Sequence, residues 1–206
     1  MIVAALIGAA LTAQQAPLPQ KKWDPTLYSQ EITECDRLAN HPDDPNKLPP
    51  GVGDKKVDPA RAVPACEAAV KADPENPRLN YQLGRVYGYS GQGEKAYPYR
   101  NKAVAAGYPQ AMFVIGYITL HGFNKQPKDV CHGAELIRQS AIANRFAGQI
   151  AFTHYALEGT FKDCPIAVDR SELLSFISAA EKLTAGDFYK ETLVERLRED
   201  VEALPQ

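Results

Sequence analysis

Asp58-Pro59-Ala60-Arg61-Ala62-Val63-Pro64-Ala65-Cys66-Glu67-Ala68-Ala69-Val70-Lys71-Ala72-Asp73-Pro74 is the stretch on which the fold turns. Between its two Asp-Pro boundaries, the small residues Ala62 and Ala69 stand seven apart, which on an α-helix is two turns along one face. A neighbouring helix packs closely over such a face. The interval recurs at Ala96 and Ala103, at Ala134 and Ala141, and at Ser171 and Ser178, in steps of 34, 38 and 37 residues. Each of these three later helices has a partner upstream, in Leu79 to Tyr87, Ala111 to Leu120 and Ala147 to Leu157. Within these partners Gly84, Gly116 and Phe152 precede Tyr87, Thr119 and Tyr155 by three, and Gly91, Gly122 and Gly159 follow as C-caps. Tyr28 to Asn40 supplies the first helix of the first unit, ended by His41-Pro42 and an irregular loop rich in Asp and Pro up to Val57. Four units follow, at about 28–74, 77–107, 109–144 and 146–184. Self-similarity at this period is the mark of stacked supersecondary units.

The motifs Leu83-Gly84-x-x-Tyr87, Ala96, Ala103, and before them Ala62, Cys66, Ala69 and Pro74, resemble tetratricopeptide repeats. The later units, with longer loops at Gly122 to Asp129 and Gly159 to Asp163, resemble the Sel-one-like variant. The resemblance covers roughly residues 58 to 182; in its fourth unit serines replace alanines and Phe152 replaces glycine. It implies an all-α, right-handed α-solenoid of stacked antiparallel helix pairs, and a role in assembling or regulating other proteins. Residues 185–204 close the stack as a capping helix, with Phe188, Val194, Leu197, Val201 and Leu204 on its apolar face and Lys190, Glu191, Glu195, Arg196, Arg198, Glu199 and Asp200 opposite. A coiled-coil seam is the alternative use of that stripe.

Composition narrows the partners. With 23 Lys plus Arg against 25 Asp plus Glu in 206 residues, the net charge of −2 offers no basic footprint for nucleic acid. The one strongly apolar run, Met1 to Ala13, is shorter than the roughly 20 residues of an integral membrane span. It reads as a signal peptide ending in small residues, although no Lys or Arg precedes its core. Residues 14–27 then form a disordered tether in which Trp23 has no evident partner. A periplasmic or secreted location follows, or a cytoplasmic one if the run is not a signal.

The four cysteines allow three connectivities, and their placement in the units favours Cys35 with Cys66 and Cys131 with Cys164. Each local bridge is worth roughly 3 kcal/mol in the chain-entropy account, and an oxidising compartment suits the even count. His132 beside Cys131, with His121 and Cys164, is the competing metal arrangement, but no C-x-x-C or H-x-x-x-H spacing supports it, so no metal and no cofactor are expected. His41 and His154 are isolated. Gly88-Tyr89-Ser90-Gly91-Gln92 lacks the closing glycine of a nucleophile elbow, and Gly93-Glu94-Lys95-Ala96 lacks the ending of a phosphate-binding loop. No serine stands three before a lysine, which removes the β-lactamase pattern.

In stacked helix pairs the first helices line the concave surface. Tyr81 and Arg85, Phe113 and Tyr117, and Gln149 and Thr153 project together there, with Arg78, Asn80 and Gln110 as polar rim. Phe113 serves equally as inter-helix packing. The expected function is a non-catalytic protein-protein interaction module of the cell envelope, a scaffold or regulator that binds a peptide or protein partner and is itself a monomer or weak homo-oligomer. The alternatives are a cell-wall-active hydrolase with an unrecognised site and a self-assembling structural protein.

Overall fold

A computed structural model describes residues 22–205; the run read as a signal peptide and tether residues 14–21 lie outside the described residues. Among the described residues the regular structure is helical, without strands. The helices are α1 (Glu34–Ala39), α2 (Pro59–Ala72), α3 (Pro77–Tyr89), α4 (Gly93–Ala105), α5 (Pro109–His121), α6 (Val130–Ile142), α7 (Phe146–Leu157), α8 (Arg170–Glu181) and α9 (Phe188–Glu202). Two single 3-10 turns, Pro25–Leu27 and Asp54–Lys56, interrupt the N-terminal part. Every helix packs on the next, α1 also reaches α3, and α7 also reaches α9. The chain is an all-α solenoid of four helix pairs closed by α9.

Local chemistry sets the boundaries. Asp58, Asp129, Asp169 and Asp187 open α2, α6, α8 and α9, each carboxylate accepting a first-turn backbone N–H. Pro77 and Pro109 stand at the first positions of α3 and α5, where their missing N–H is not needed. Gly122 ends α5 in the left-handed region at φ 71°. The tightest helix pair is α5 against α6. A Cβ on Gly116 would lie 3.0 Å from the Gly133 carbonyl, and one on Gly133 would lie 2.7 Å from that of Gly116.

Ala62, Ala96, Ala103, Ala134 and Ala141 are buried on the faces the spacing assigned them. The fourth unit departs from that register. Ser171 is exposed and bonded to Asp169 in the first turn of α8, whereas Leu173 and Ala180, also seven apart, are fully buried. Phe152 is the reason. It takes the position that glycine holds in α3 and α5, stacks on Phe161 at 5.2 Å, meets Phe176 edge-on at 5.8 Å and shares one core cluster with Leu173 of α8.

Two further expectations change. Of Tyr28 to Asn40 only Glu34–Ala39 is helical, because a capping box between Thr33 and Asp36 starts the helix there. Upstream, the Ser29 carbonyl accepts from Asn76 Nδ2 at 3.2 Å and that of Glu31 from Arg78 Nη2 at 3.3 Å, which holds the strand-like lead-in extended. In α9, Val194, Leu197 and Val201 are buried against α7 and α8, while Phe188 at the helix start is 71% exposed and takes no part in the cap. The two disulfides join the expected partners, Cys35 to Cys66 between α1 and α2, and Cys131 to Cys164 between α6 and the loop ahead of α8.

Candidate interaction surface

The part of the first-helix face built by α3 and the start of α5 is occupied by the protein's own N-terminal segment, residues 22–57. Arg85, in the middle of α3, is the principal anchor: its guanidinium donates to the Ala39 carbonyl at 2.7 Å, the Val52 carbonyl at 2.9 Å and Asp54 Oδ1 at 2.8 Å. That bond holds the Asp54 carboxyl below its ordinary range. One turn earlier, Gln82 donates to Asp36 Oδ1 and Asn40 Oδ1, and Arg78 is ion-paired with Asp36. The loop after α1 then runs along the starts of later first helices. Tyr108, ahead of α5, donates from its hydroxyl to Asp44 Oδ2 at 2.7 Å, and Lys190 in the first turn of α9 lies 3.6 Å from Asp43.

Trp23 completes this cover. Its ring stacks on Tyr28 at 5.4 Å and meets Tyr108 edge-on at 5.0 Å, and its Nε1 donates to Asn46 Oδ1 at 2.8 Å. The tether therefore does not extend to residue 27 as expected: Trp23 has three partners and Asp24 caps the turn that follows.

Titratable groups record the burial. His41 is pushed down to about 4, first by burial and then by the charges of Arg85 and Arg145; its Nδ1 accepts the Asp43 N–H, the bonding of a neutral ring. Burial raises the Asp44 carboxyl, although the Tyr108 hydroxyl and the Asn46 N–H both donate to it. The Tyr81 hydroxyl is pushed up to about 12, again chiefly by burial.

Four of the six residues assigned to an open groove are buried: Tyr81 and Arg85 on α3, beneath the N-terminal segment, and Gln149 and Thr153 on α7. Tyr81 is buried against Tyr108, and its hydroxyl accepts from Gln110 Nε2 at 3.0 Å. Arg85 is 2% exposed. Gln149 and Thr153, on α7, are buried, with Gln149 donating to Asn144 Oδ1 at 3.1 Å. The supposed polar rim is buried too: Arg78 and Asn80 are tied to backbone carbonyls, and Gln110 accepts from Arg145 while donating to Tyr81. Most of these side chains are bonded within the chain, while Thr153 Oγ1, Gln149 Oε1 and Arg85 Nε are buried without a hydrogen-bond partner.

Phe113 and Tyr117 remain. They lie one turn apart on the outer ridge of α5, with ring centroids 6.2 Å apart, and His121 continues the row 4.6 Å beyond Tyr117. Past the Gly122 cap, Phe123 turns back to stack on His121 at 5.0 Å and approach Tyr117 at 5.7 Å. His121 Nε2 is 2.8 Å from the Tyr155 hydroxyl on α7, which fixes the imidazole within the row. At the other end the Arg145 guanidinium lies 5.5 Å from the centre of the Phe113 ring. Tyr117 is 38% and Phe123 47% exposed, so the row reaches solvent at these two rings, while Arg145 itself is buried beneath Phe113.

No family model, curated protein or solved structure matches this chain. Its chemistry rests on its own residues. Cys131 and Cys164 are bonded to each other, which takes both thiols away from the metal arrangement weighed above. Among the described residues no group of three or more His, Cys, Asp or Glu side chains is placed to hold a metal ion. His154 is exposed and 3.5 Å from Glu158. The residues that sequence reasoning passed over, Trp23, Asp36, Asp44 and Phe123, carried one faint signal: a lone tryptophan and an Asp-Pro-rich loop sit close to the first repeat.

Proposed function

We propose that the protein is a non-catalytic helical-repeat module, of the tetratricopeptide and Sel-one-like kind, that holds a segment of another polypeptide against the outer ridge of α5. The observation that carries this is the aromatic row Phe113, Tyr117, His121 and Phe123, in which Tyr117 and Phe123 are exposed and Phe113 and His121 half-buried. Clustered aromatic rings are enriched at energetically dominant contact sites, because they bring large apolar area at small conformational cost. Packing of His121 against Tyr155 and the helical backing of the row mean that little order is lost on association.

Two disulfides support a place in an oxidising compartment, in keeping with the cell envelope. Described helices long and apolar enough to cross a membrane are lacking. The test is crosslinking in the native cell with a photoreactive group at Tyr117, followed by capture with the double variant Tyr117→Ala, Phe123→Ala. Both side chains are exposed, so folding is preserved. Capture of a discrete partner and at least a tenfold loss in the variant are expected; undiminished capture overturns the assignment.

A further inference from the structure

Arg100 is the feature that the repeat fold leaves unexplained. Its side chain starts on α4 and lies in a trough on α3 opened by two glycines one turn apart: a Cβ on Gly84 would come within 2.6 Å of Arg100 Cγ, and one on Gly88 within 2.6 Å of Nη2. The residue is only 9% exposed. Among the described residues it makes no hydrogen bond and no ion pair, and its Nε is buried without a partner. The groups that bear on its charge are the phenols of Tyr81, Tyr97 and Tyr89, with no carboxylate among them, and burial lowers its pKa. Every other deeply buried arginine in the molecule, Arg78, Arg85 and Arg145, has an acceptor. A mostly buried guanidinium without an acceptor destabilises the fold that holds it, which leaves this charge without a structural role.

The trough opens into a cleft of about 660 Å³ between the α3–α4 turn and the α5–α6 loop, with Arg100 in its wall. Tyr89 and Tyr97 line it with rings, and the Tyr97 hydroxyl reaches the Asn124 carbonyl at 3.4 Å. Lys95 and Lys125 stand at the rim, both exposed and neither within 4.0 Å of a carboxylate among the described residues; Glu94 is the one acid in the lining. The start of α4 also lines the cleft; Gln92 gives it no side-chain cap, and while the Lys95 N–H is bonded to the Gln92 carbonyl at 3.0 Å, those of Gly93 and Glu94 have no partner among the described residues.

We propose that this cleft is a binding site for an oxyanion, a carboxylate or phosphate group carried on a small organic ligand or a flexible side chain, held by the Arg100 guanidinium and the α4 amides and steered by Lys95 and Lys125. A planar guanidinium offers its two terminal nitrogens to either group, and an uncapped helix start adds donors of the same polarity. Tyr89 and Tyr97 bound the remainder of the ligand. The site is separate from the aromatic row and stands whether or not that row binds a polypeptide.

The probes are inorganic phosphate and N-acetyl-glutamate amide, titrated separately at low ionic strength into the full chain, with the amide shifts of Gly91 to Lys95 followed by NMR. Saturable movement of these amides with one probe or both is expected, and the tighter of the two identifies the ligand class. Arg100→Met removes the shifts while leaving the thermal midpoint unchanged or higher, because the unpaired charge goes with it. Lys95→Met with Lys125→Met, both on the surface, weakens binding at least tenfold and steepens no unfolding curve, which keeps the test valid if Arg100→Met does not fold. Absence of saturable shifts with both probes overturns the proposal, as does binding indifferent to the lysine pair, or a folded Arg100→Met protein that binds as before.

Discussion

The two ends of the solenoid are held by different means. Around α1 to α3 the small side chains of α1 and α2, Ala39, Ala62, Ala69 and the half-cystines Cys35 and Cys66, pack against Leu79, Leu83 and Val86 of α3, and beside them runs a buried polar network of Asp36, Asn40, Gln82, Arg78 and Arg85. Around α7 and α8 the core is aromatic and aliphatic, with Phe152, Phe161, Phe176, Leu173 and Ile177. The disulfides differ in the same sense. Cys35 and Cys66 are both fully buried, whereas Cys131 and Cys164 lie half-exposed at the edge of their unit. A six-residue helix has no stability of its own, so α1 depends on its bridge and on long-range hydrogen bonds. The C-terminal pair can rely on packing.

Four perturbations set this contrast at risk. Replacing Cys35 and Cys66 together by alanine is expected to cost about 4 kcal/mol, against about 2 kcal/mol for the Cys131 and Cys164 pair, measured as urea midpoints at constant m-value; equal losses would erase the distinction. Phe152→Ala comes next, at about 3 kcal/mol, since a fully buried ring is removed from a stacked cluster. Amide exchange is expected to quicken in α7 to α9 and stay unchanged in α1. Trp23→Ala is smaller, about 2 kcal/mol from its aromatic contacts and its bond to Asn46, and loosens residues 22–57 alone.

The smallest effect is one of pH. His41 titrates at about 4 in the folded chain against 6.5 in the unfolded one, so the unfolded state takes up its proton first on acidification. Its contribution to stability is complete above pH 6.5 and is lost as the pH falls toward 4. Asp44, raised by burial, works in the opposite direction, because the folded state binds its proton first. The comparison is therefore between the parent and His41→Gln, whose stability is expected to fall less between pH 6.5 and 4; parallel profiles would place His41 in solvent.

The helices from α2 onward were legible because their evidence is local: small residues seven apart, Asp or Pro at the start, Gly past the end. The disulfide partners were legible because each cysteine pair lies within its unit. The occupied face was not, and the reason is physical. Arg78, Arg85 and Gln110 are residue types that ordinarily remain in water, and what buries them is contact with chain 29 to 49 residues away. A period-based count placed Tyr81, Arg85, Gln149 and Thr153 on the correct helices and could not register what lies over them. Tyr117 is exposed as expected, but its partner Phe123 stands beyond the helix end, outside any spacing rule. Arg100 was invisible for a similar reason, since Gly84 reads as a repeat-motif position and nothing in the spacing shows that a side chain of α4 lies across it and Gly88.

That the N-terminal segment folds over the first-helix face is the claim on which the rest depends, and the chain carries a single tryptophan, Trp23, placed within that segment. Acrylamide quenching of its fluorescence tests it directly. In the native protein, Trp23 is expected to emit at shortened wavelength, to receive energy from Tyr28 and Tyr108, and to be quenched severalfold more weakly than in urea. Native quenching equal to that of the unfolded chain would contradict the account and return the face of Tyr81 and Arg85 to solvent.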